Sequence, residues 1–155
     1  VGCAIAAKMD GKPYRTFVLM GDGEQGEGSI YEAAMAGSKY KLDNLVAMID
    51  RNGLQISAPT EDVMPIEPIR DRWEAFGWDV HDIDGNDMGA IVRTLENIDY
   101  TNGKPHLVIL RTTKGFHVSL MENILKWHHG VPTAEEYDRA ITEITNRIEE
   151  LKKNC

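Results

Sequence analysis

The sequence has little cysteine and no long hydrophobic run. Its two cysteines, Cys3 and Cys155, stand at opposite ends of the 155 residues and cannot form a disulfide framework, which indicates a reducing, cytoplasmic location. No apolar stretch approaches the roughly 18 residues that a membrane-spanning helix needs, so we expect no transmembrane role. We expect no secretory signal either, because the apolar segment 1–7 lacks a basic lead and is followed at once by Lys8.

Basic side chains are outnumbered by acidic ones. Lysine and arginine total 17 against 25 aspartate and glutamate residues, which leaves a formal charge of −8. Because phosphate-rich surfaces are bound by basic patches, this balance argues against nucleic acid or an anionic membrane as the main partner. With 42% hydrophobic and 27% charged residues, the chain fits one globular domain with a core. An enzyme that needs several domains would have to take the others from other chains.

Candidate strands and helices alternate along the chain. The candidate strands are 15–20, 45–50, 79–83 and 106–111; the candidate helices cover about 29–41, a segment framed by Pro65 and Pro68 that ends near Phe76, 88–95, and the segment from Thr133 onward. The run 45–50 is apolar almost throughout, as expected of a strand buried on both faces. This alternation predicts an α/β fold with a doubly wound, mostly parallel sheet and helices on both faces.

The chain reads as a single domain over 1–155, with 113–155 as its C-terminal loop and helix. Segment 56–64 reads as a loop, and segment 2–9 is helix-like but begins without an N-cap, which indicates that residues are missing upstream. Thr133 and Glu136 have the spacing of a capping box at the start of the last helix. That helix has an apolar stripe, formed by Tyr137, Ala140, Ile141, Ile144, Ile148 and Leu151.

A glycine-rich turn follows the first candidate strand. Gly21 and Gly23 allow the backbone to approach a ligand closely, and the helix that follows offers free N–H groups to an anion. In open α/β sheets, ligands bind beyond the carboxyl ends of the strands, where this turn lies. Asp22 places a carboxylate at the same point, which makes chemical sense if a divalent cation, most naturally Mg²⁺, bridges it to a bound phosphate.

The second candidate strand ends in a matching polar turn. Asn52 follows Asp22 by 30 residues, the length of a strand–helix–strand unit, so both side chains can reach one crevice. The Asn52 amide oxygen and a backbone carbonyl near Gly53 would complete the protein's share of the metal ligands. Asp-Gly and Asn-Gly are also common turn sequences, and either pair alone is more often only a turn. At the ends of two strands one helix apart, together, they favour a binding site.

These motifs resemble the thiamine diphosphate motif of the transketolase family. The pattern is Gly21-Asp22-Gly23, a gap of 28 residues, then Asn52, within GDGEQGEGSIYEAAMAGSKYKLDNLVAMIDRNGLQI; further resemblance lies in PTEDVMPIEPIRDRWEAFGWDV and TTKGFHVSLMENILKWHHGVPTAEEY. The resemblance covers essentially the whole chain and is closest to the N-terminal subunit of split transketolases. It implies the diphosphate-binding domain of the thiamine diphosphate-binding fold, without that domain's opening segment.

The resemblance implies a role for each residue that matches the family pattern. Asp22 and Asn52 would bind Mg²⁺, or Ca²⁺ in its place, with their side chains, and Leu54 would add its backbone carbonyl. The remaining assignments are Gly23 and Glu24 at the cofactor, Ile56 near the cofactor rings, His129 at the diphosphate and the substrate hydroxyl, and Glu27 and Glu32 at a dimer interface where they link two active sites.

Several of these positions have a simpler interpretation. Glu27 stands where the helix dipole favours a carboxylate, so helix capping explains it as well as catalysis does. His128 is an alternative to His129, because the two are adjacent and sequence alone does not show which side chain faces the site. Two other histidines, His81 and His106, lie in apolar strands and are expected to be structural. The methionines at 20, 35 and 48 are expected to be packing residues.

The chain departs from the family pattern in three places. Phe116 and His117 replace the Lys and Gly of a Lys-Gly-x-Gly stretch, and Ser57 and Ala58 replace an Asp-Gly after the metal turn. The family's early substrate histidines and its Gly-x-Gly-Gln-Gly segment, which would lie upstream of Val1, are absent. The glutamate that activates the aminopyrimidine ring belongs to the family's next domain.

By resemblance, the chain is expected to be part of a transketolase of the pentose phosphate pathway, which transfers a two-carbon ketol unit from a ketose phosphate to an aldose phosphate. It would act with a pyrimidine-binding-domain chain and a second copy of itself. One alternative is another thiamine diphosphate enzyme, such as a deoxyxylulose-phosphate synthase or a dehydrogenase E1 component. The other is a non-catalytic cofactor-binding or assembly module that needs a partner chain.

Overall fold

Four parallel strands form the centre of the molecule in the computed structural model, which describes residues 1–153. The strands are β1 (Thr16–Gly21), β2 (Leu45–Arg51), β3 (Asp79–Asp84) and β4 (His106–Arg111), in the spatial order β1-β2-β4-β3. Every neighbouring pair runs parallel. The predicted α/β fold with a parallel sheet is therefore confirmed. Cys155 lies outside the described residues.

Helices connect the strands, as parallel connections require. They are α1 (Gly2–Met9), α2 (Gly28–Lys39), α3 (Thr60–Val63), α4 (Ile69–Ala75), α5 (Met88–Glu96) and α6 (Ala134–Lys153), with 3-10 turns at Gly23–Gly26 and Leu125–His128. The prediction that 56–64 is all loop was wrong at α3. Tertiary contacts hold this single turn: the Thr60 N–H donates to the Gly53 carbonyl, and Glu61 pairs with Arg51.

Apolar side chains cover both faces of the middle of the sheet, whereas Phe17, Val18 and Leu19 of β1 are exposed. The larger cluster lies on one face and joins β1, β2, β3 and β4 to α1, α2 and α4; its largest members include Ile49, Ile69, Trp73, Trp78 and Leu107. The smaller cluster lies on the other face and places Val46, Val108 and Leu110 against Ile91 and Leu95 of α5. β2 and β4 are thus buried on both sides, as the apolar run 45–50 predicted.

The last helix begins as the capping box predicted. The Thr133 N–H donates to Glu136 over 2.8 Å, and the Glu136 N–H donates to the Thr133 hydroxyl over 3.2 Å. Its apolar stripe, however, packs only at Ala140; Tyr137, Ile141, Ile144, Ile148 and Leu151 are exposed. Met20 is a core residue and Met48 is half-buried, but the prediction that Met35 is a packing residue was wrong. It is 55% exposed, because it lies on the outer side of α2.

Candidate functional site

A cleft of about 540 Å³ opens at the carboxyl ends of β1 and β2. The lining residues come from the turns after these two strands, from the loop to α3, and from the C-terminal loop: Gly21, Asp22, Gly23, Glu24, Glu27, Asp50, Asn52, Leu54, Gln55, Ile56, Ser57, Val63, Lys114 and His128. The structure therefore brings together the glycine-rich turn and the asparagine turn that the sequence singled out. β1 and β2 are neighbours in the sheet, with Gly21 opposite Asp50, which explains the juxtaposition.

Asp22 is the most deeply buried charged group of this cleft, at 1% exposure. Its Oδ2 accepts a hydrogen bond of 2.7 Å from the Gly53 N–H and one of 2.9 Å from Arg51 Nη1. These bonds tie the end of β1 to the turn after β2. Among residues 1–153, Oδ1 has no hydrogen-bond partner, so one oxygen of a fixed carboxylate stays available at the cleft.

Arg51 holds this corner of the site together. Its guanidinium group, 9% exposed, contacts Asp22, Glu61 and Glu67 at 2.9, 2.7 and 3.3 Å. Arg111 also contacts Glu67, at 3.0 Å. Burial alone would raise the pKa of Glu67, but hydrogen bonds from the Ile69 N–H and both arginines outweigh it and lower this pKa below 4.5. Arg51 is shared by three carboxylates, those of Asp22, Glu61 and Glu67, so this part of the cleft has more negative than positive charge. A divalent cation can balance the excess.

Asn52 and Leu54 occupy a tight turn directly after β2. Gly53 has φ +78°, a left-handed conformation that favours glycine, and the Leu54 N–H donates to Asn52 Oδ1 over 3.0 Å. The turn thus fixes the Asn52 amide, whose oxygen retains a second lone pair. Carboxylate, amide and backbone carbonyl oxygens are the hard donors that Mg²⁺ and Ca²⁺ prefer, so this donor set fits the predicted cation.

Gly23 lies close to Gln55, with no room for a side chain between them. A Cβ at this position would lie 2.7 Å from Gln55 Oε1, so any other residue would push Gln55 or close this part of the cleft. Glu24 does not face a ligand freely, because its Oε2 accepts a 2.6 Å hydrogen bond from the Gly21 N–H and so closes the glycine-rich turn. Ile56 lines the cleft and is 67% exposed, so an apolar surface faces the solvent there.

The two acidic residues predicted for the dimer interface lie in different surroundings. Glu27 lines the cleft at the N-cap position of α2, but its side chain makes no capping hydrogen bond. Helix capping by the side chain therefore does not account for it. Glu32 is exposed on α2 and is not among the residues that line the cleft.

The two histidines of the C-terminal loop also differ in whether they line the cleft. His128, the last residue of the 3-10 turn Leu125–His128, lines the cleft, whereas His129 does not; both residues are exposed. The structure thus brings the rival histidine to the site. His81 and His106 lie at the opposite end of the sheet, where β3 and β4 begin.

Sequence reasoning missed two residues of this site. Lys114 lines the cleft shortly after β4, where it supplies a positive charge beside the acidic corner. Asp50 lines it as well and accepts a short hydrogen bond from the Thr112 hydroxyl. Their sequence positions could have indicated both residues, since they stand at or beyond the carboxyl ends of β2 and β4, where ligands bind in such sheets.

The fold and this cleft define an α/β domain of the thiamine diphosphate-binding class. The chain matches the transketolase thiamine diphosphate binding domain over residues 7–146. It therefore belongs to the transketolase family. Within residues 1–153, we find no helix with the length and apolar composition needed to cross a membrane.

Relatives and solved structures agree with this assignment. The chain is similar to an apulose-4-phosphate transketolase subunit of Phocaeicola vulgatus, with 67% identity over 99% of this chain and 54% of the relative. It is 40% identical to a 6-deoxy-6-sulfo-D-fructose transketolase subunit of Clostridium sp., over 93% of this chain and 52% of that relative. A transketolase structure from Campylobacter jejuni superposes with a TM-score of 0.82 at 31% identity, over 90% of this chain and 23% of that one. The chain spans about half the length of the curated relatives it matches.

Proposed function

We propose that this chain supplies the diphosphate- and cation-binding part of the active site of a two-chain transketolase. The enzyme would transfer a two-carbon ketol unit from a ketose phosphate to an aldose phosphate. The observation that supports this proposal most directly is the buried Asp22 carboxylate, fixed beside Asn52 and Leu54 in a cleft at the carboxyl ends of two neighbouring strands. Residues 1–155 would form one domain, with 113–155 as its C-terminal loop and helix.

In this proposal the hard oxygen donors of the cleft hold Mg²⁺ or Ca²⁺. Asp22, Asn52 and the Leu54 carbonyl bind the cation, and the Gly23 N–H and Lys114 bind phosphate oxygens. Glu24 keeps the turn closed through Gly21, and Ile56 packs against the rings of the cofactor. Thiamine diphosphate, when bound, supplies the nucleophilic carbon for carbon–carbon bond cleavage and formation.

The test of the cation site uses Asp22→Ala and Asn52→Ala in the assembled enzyme. Both variants should lose Mg²⁺-dependent binding of thiamine diphosphate, because each removes a ligand that no neighbour replaces. Calorimetry with cofactor and Mg²⁺ measures the loss directly. Asp138→Ala, which removes an exposed carboxylate on α6, is the matched control and should bind as the parent does. Unchanged binding in both site variants would contradict the assignment.

A histidine of the C-terminal loop would handle the proton of the substrate hydroxyl. The family resemblance points to His129, while His128 is the one that lines the cleft. We propose His128 for this role. His128→Ala should lower kcat/KM by about 10²–10⁴-fold, the usual contribution of general acid–base catalysis, while His129→Ala should change it little. The reverse result would restore the role to His129.

The outer side of α2 would face a second copy of the chain. Glu32 and Met35 are both exposed there and stand three residues apart, on one face of the helix. Glu27, at the start of the same helix, would connect that interface to the cleft. Met35→Lys should weaken self-association in sedimentation experiments, whereas undiminished self-association of this variant would place the interface elsewhere.

A chain with a pyrimidine-binding domain would complete the site. Relatives of about twice this length are named as subunits of a transketolase, which supports a partner polypeptide. Copurification of the intact protein with its partner tests the assembly. Apulose 4-phosphate, 6-deoxy-6-sulfo-D-fructose and unmodified ketose phosphates, each with an aldose phosphate acceptor, should be compared as donors.

The same measurements separate the alternatives. Cofactor binding without transfer to any acceptor, even with a partner present, would favour a non-catalytic cofactor-binding or assembly module. Condensation of pyruvate with an aldehyde would favour an enzyme of the deoxyxylulose-phosphate synthase type. Ketol transfer in the assembled enzyme would support the transketolase proposal.

A further inference from the structure

A second cluster of ligand-type side chains lies at the opposite end of the sheet from the cleft. Asp79 and His106 are the first residues of β3 and β4, and they are direct partners in the register of these parallel strands. His81 lies two residues beyond Asp79 on β3, on the same face of the sheet. The cluster therefore depends on how two strands pair and is independent of the cation site at the carboxyl ends.

The distances within this cluster fit a tetrahedral metal. Asp79 Oδ2 lies 3.3 Å from His106 Nδ1 and 3.6 Å from His81 Nε2. With metal–ligand distances near 2.1 Å, neighbouring ligand atoms of a tetrahedral site lie about 3.4 Å apart. One ligand atom from each of the three residues lies within 4.8 Å of the others, so closing the last separation needs only an adjustment of the half-exposed His81.

The histidine nitrogens of the cluster are poorly paired. His106 is fully buried, yet neither of its ring nitrogens makes a well-formed hydrogen bond among residues 1–153, although Asp79 Oδ2 lies 3.3 Å from Nδ1 and the Asp43 backbone is near. The buried Nε2 of His81 makes none either. Buried polar atoms are nearly always paired, so these poorly paired nitrogens beside a carboxylate need an explanation.

We propose that Asp79, His81 and His106 bind one divalent transition-metal ion of the zinc class. Two imidazole nitrogens and one carboxylate oxygen select Zn²⁺ or Co²⁺ over Mg²⁺, which prefers oxygen ligands only. Three protein ligands leave a fourth position for water. The ion would join the beginnings of β3 and β4 and stabilise the end of the sheet that lies away from the cleft.

The test is a Co²⁺ titration of the intact, chelator-treated protein in excess Mg²⁺, which occupies the proposed oxygen-ligand site of the cleft. We expect one Co²⁺ per chain, with the visible absorption of a tetrahedral nitrogen and oxygen site, displacement by Zn²⁺ but not by excess Mg²⁺, and a rise in the Tm. Asp79→Asn and His81→Ala, both at half-exposed positions, should each weaken binding more than about 100-fold, since even the loss of a ligand's own hydrogen-bond partner costs 10–100-fold.

Two control variants make the result specific. His117→Asn removes an exposed histidine outside the cluster, and asparagine tolerates the positive φ of 69° at that position. Asp138→Asn removes an exposed carboxylate on α6, far in sequence from both proposed metal sites. Both should bind Co²⁺ as the parent does. Absence of stoichiometric binding, or equal binding by the parent, Asp79→Asn and His81→Ala, would overturn the proposal without affecting the proposed transketolase function.

Discussion

The two ends of the central sheet treat buried polar groups in opposite ways. At the carboxyl ends of β1 and β2, one oxygen of the buried Asp22 carboxylate is held by Arg51 and by the Gly53 N–H. At the amino ends of β3 and β4, the buried His106 ring makes no well-formed hydrogen bond among residues 1–153, although Asp79 lies 3.3 Å from its Nδ1. The first carboxylate is therefore fixed by an ion pair and a backbone hydrogen bond, whereas the second group is only loosely paired. The proposed cation site is already held in place, and the proposed metal site is not.

The largest expected effect comes from breaking the organised end. Arg51→Ala leaves the buried Asp22 carboxylate without its counter-ion, and loss of one partner of a buried pair typically costs about 3–5 kcal/mol. The free energy of unfolding, measured by chemical denaturation, should fall by about that amount. Arg147→Ala removes an exposed ion pair with Glu150 and should cost no more than about 1 kcal/mol. Equal losses in the two variants would show that burial does not distinguish these arginines.

A smaller effect is expected at the other end. In chelator-treated protein, His106→Leu should leave the free energy of unfolding within about 1.5 kcal/mol of the parent, because the imidazole makes no well-formed hydrogen bond and only a 3.3 Å contact with Asp79. His106→Ala should cost about 2–5 kcal/mol, because it leaves a cavity. If His106→Leu proved as costly as Arg51→Ala, the contact between the ring and Asp79 would be as stabilising as the Asp22–Arg51 pair, and the contrast between the two ends would fail.

The smallest effect concerns pH and again belongs to the organised end. The pKa of Glu67 is lower in the folded protein than its usual 4.5, so its contribution to stability is present above that value. The contribution is lost as the pH falls below 4.5 and through the folded pKa. Glu67→Gln should therefore flatten part of the decline in stability at acidic pH. An identical pH profile for the variant and the parent would show that Glu67 does not contribute.

The sequence was enough to place the two halves of the proposed cation site together. Asp22 and Asn52 end consecutive apolar strands one helix apart, and consecutive parallel strands usually lie side by side with their carboxyl ends at one edge. The structure confirms that β1 and β2 are neighbours. The capping box of α6 was equally predictable, because a capping box depends only on residues three apart.

Other features depend on contacts between residues far apart in the chain. Local sequence offers no reason to prefer His128 over His129, because only the path of the loop brings one of two adjacent histidines to the cleft. The short helix α3 forms where Thr60 and Glu61 contact the turn after β2, and a local pattern does not contain those contacts. Met35 looked like a packing residue, yet α2 turns it away from the sheet.

The sequence by itself determined the parallel α/β architecture, the family, and the placement of Asp22 and Asn52 at one cleft. Each of these depends on local periodicity or on short motifs. Tertiary structure alone decided that Arg51 would be the counter-ion of Asp22. It also placed Asp79 opposite His106, since the register of β3 against β4 joins residues 27 positions apart. Local propensities act within one turn or strand, whereas register, burial and charge partners are set by how the whole chain packs.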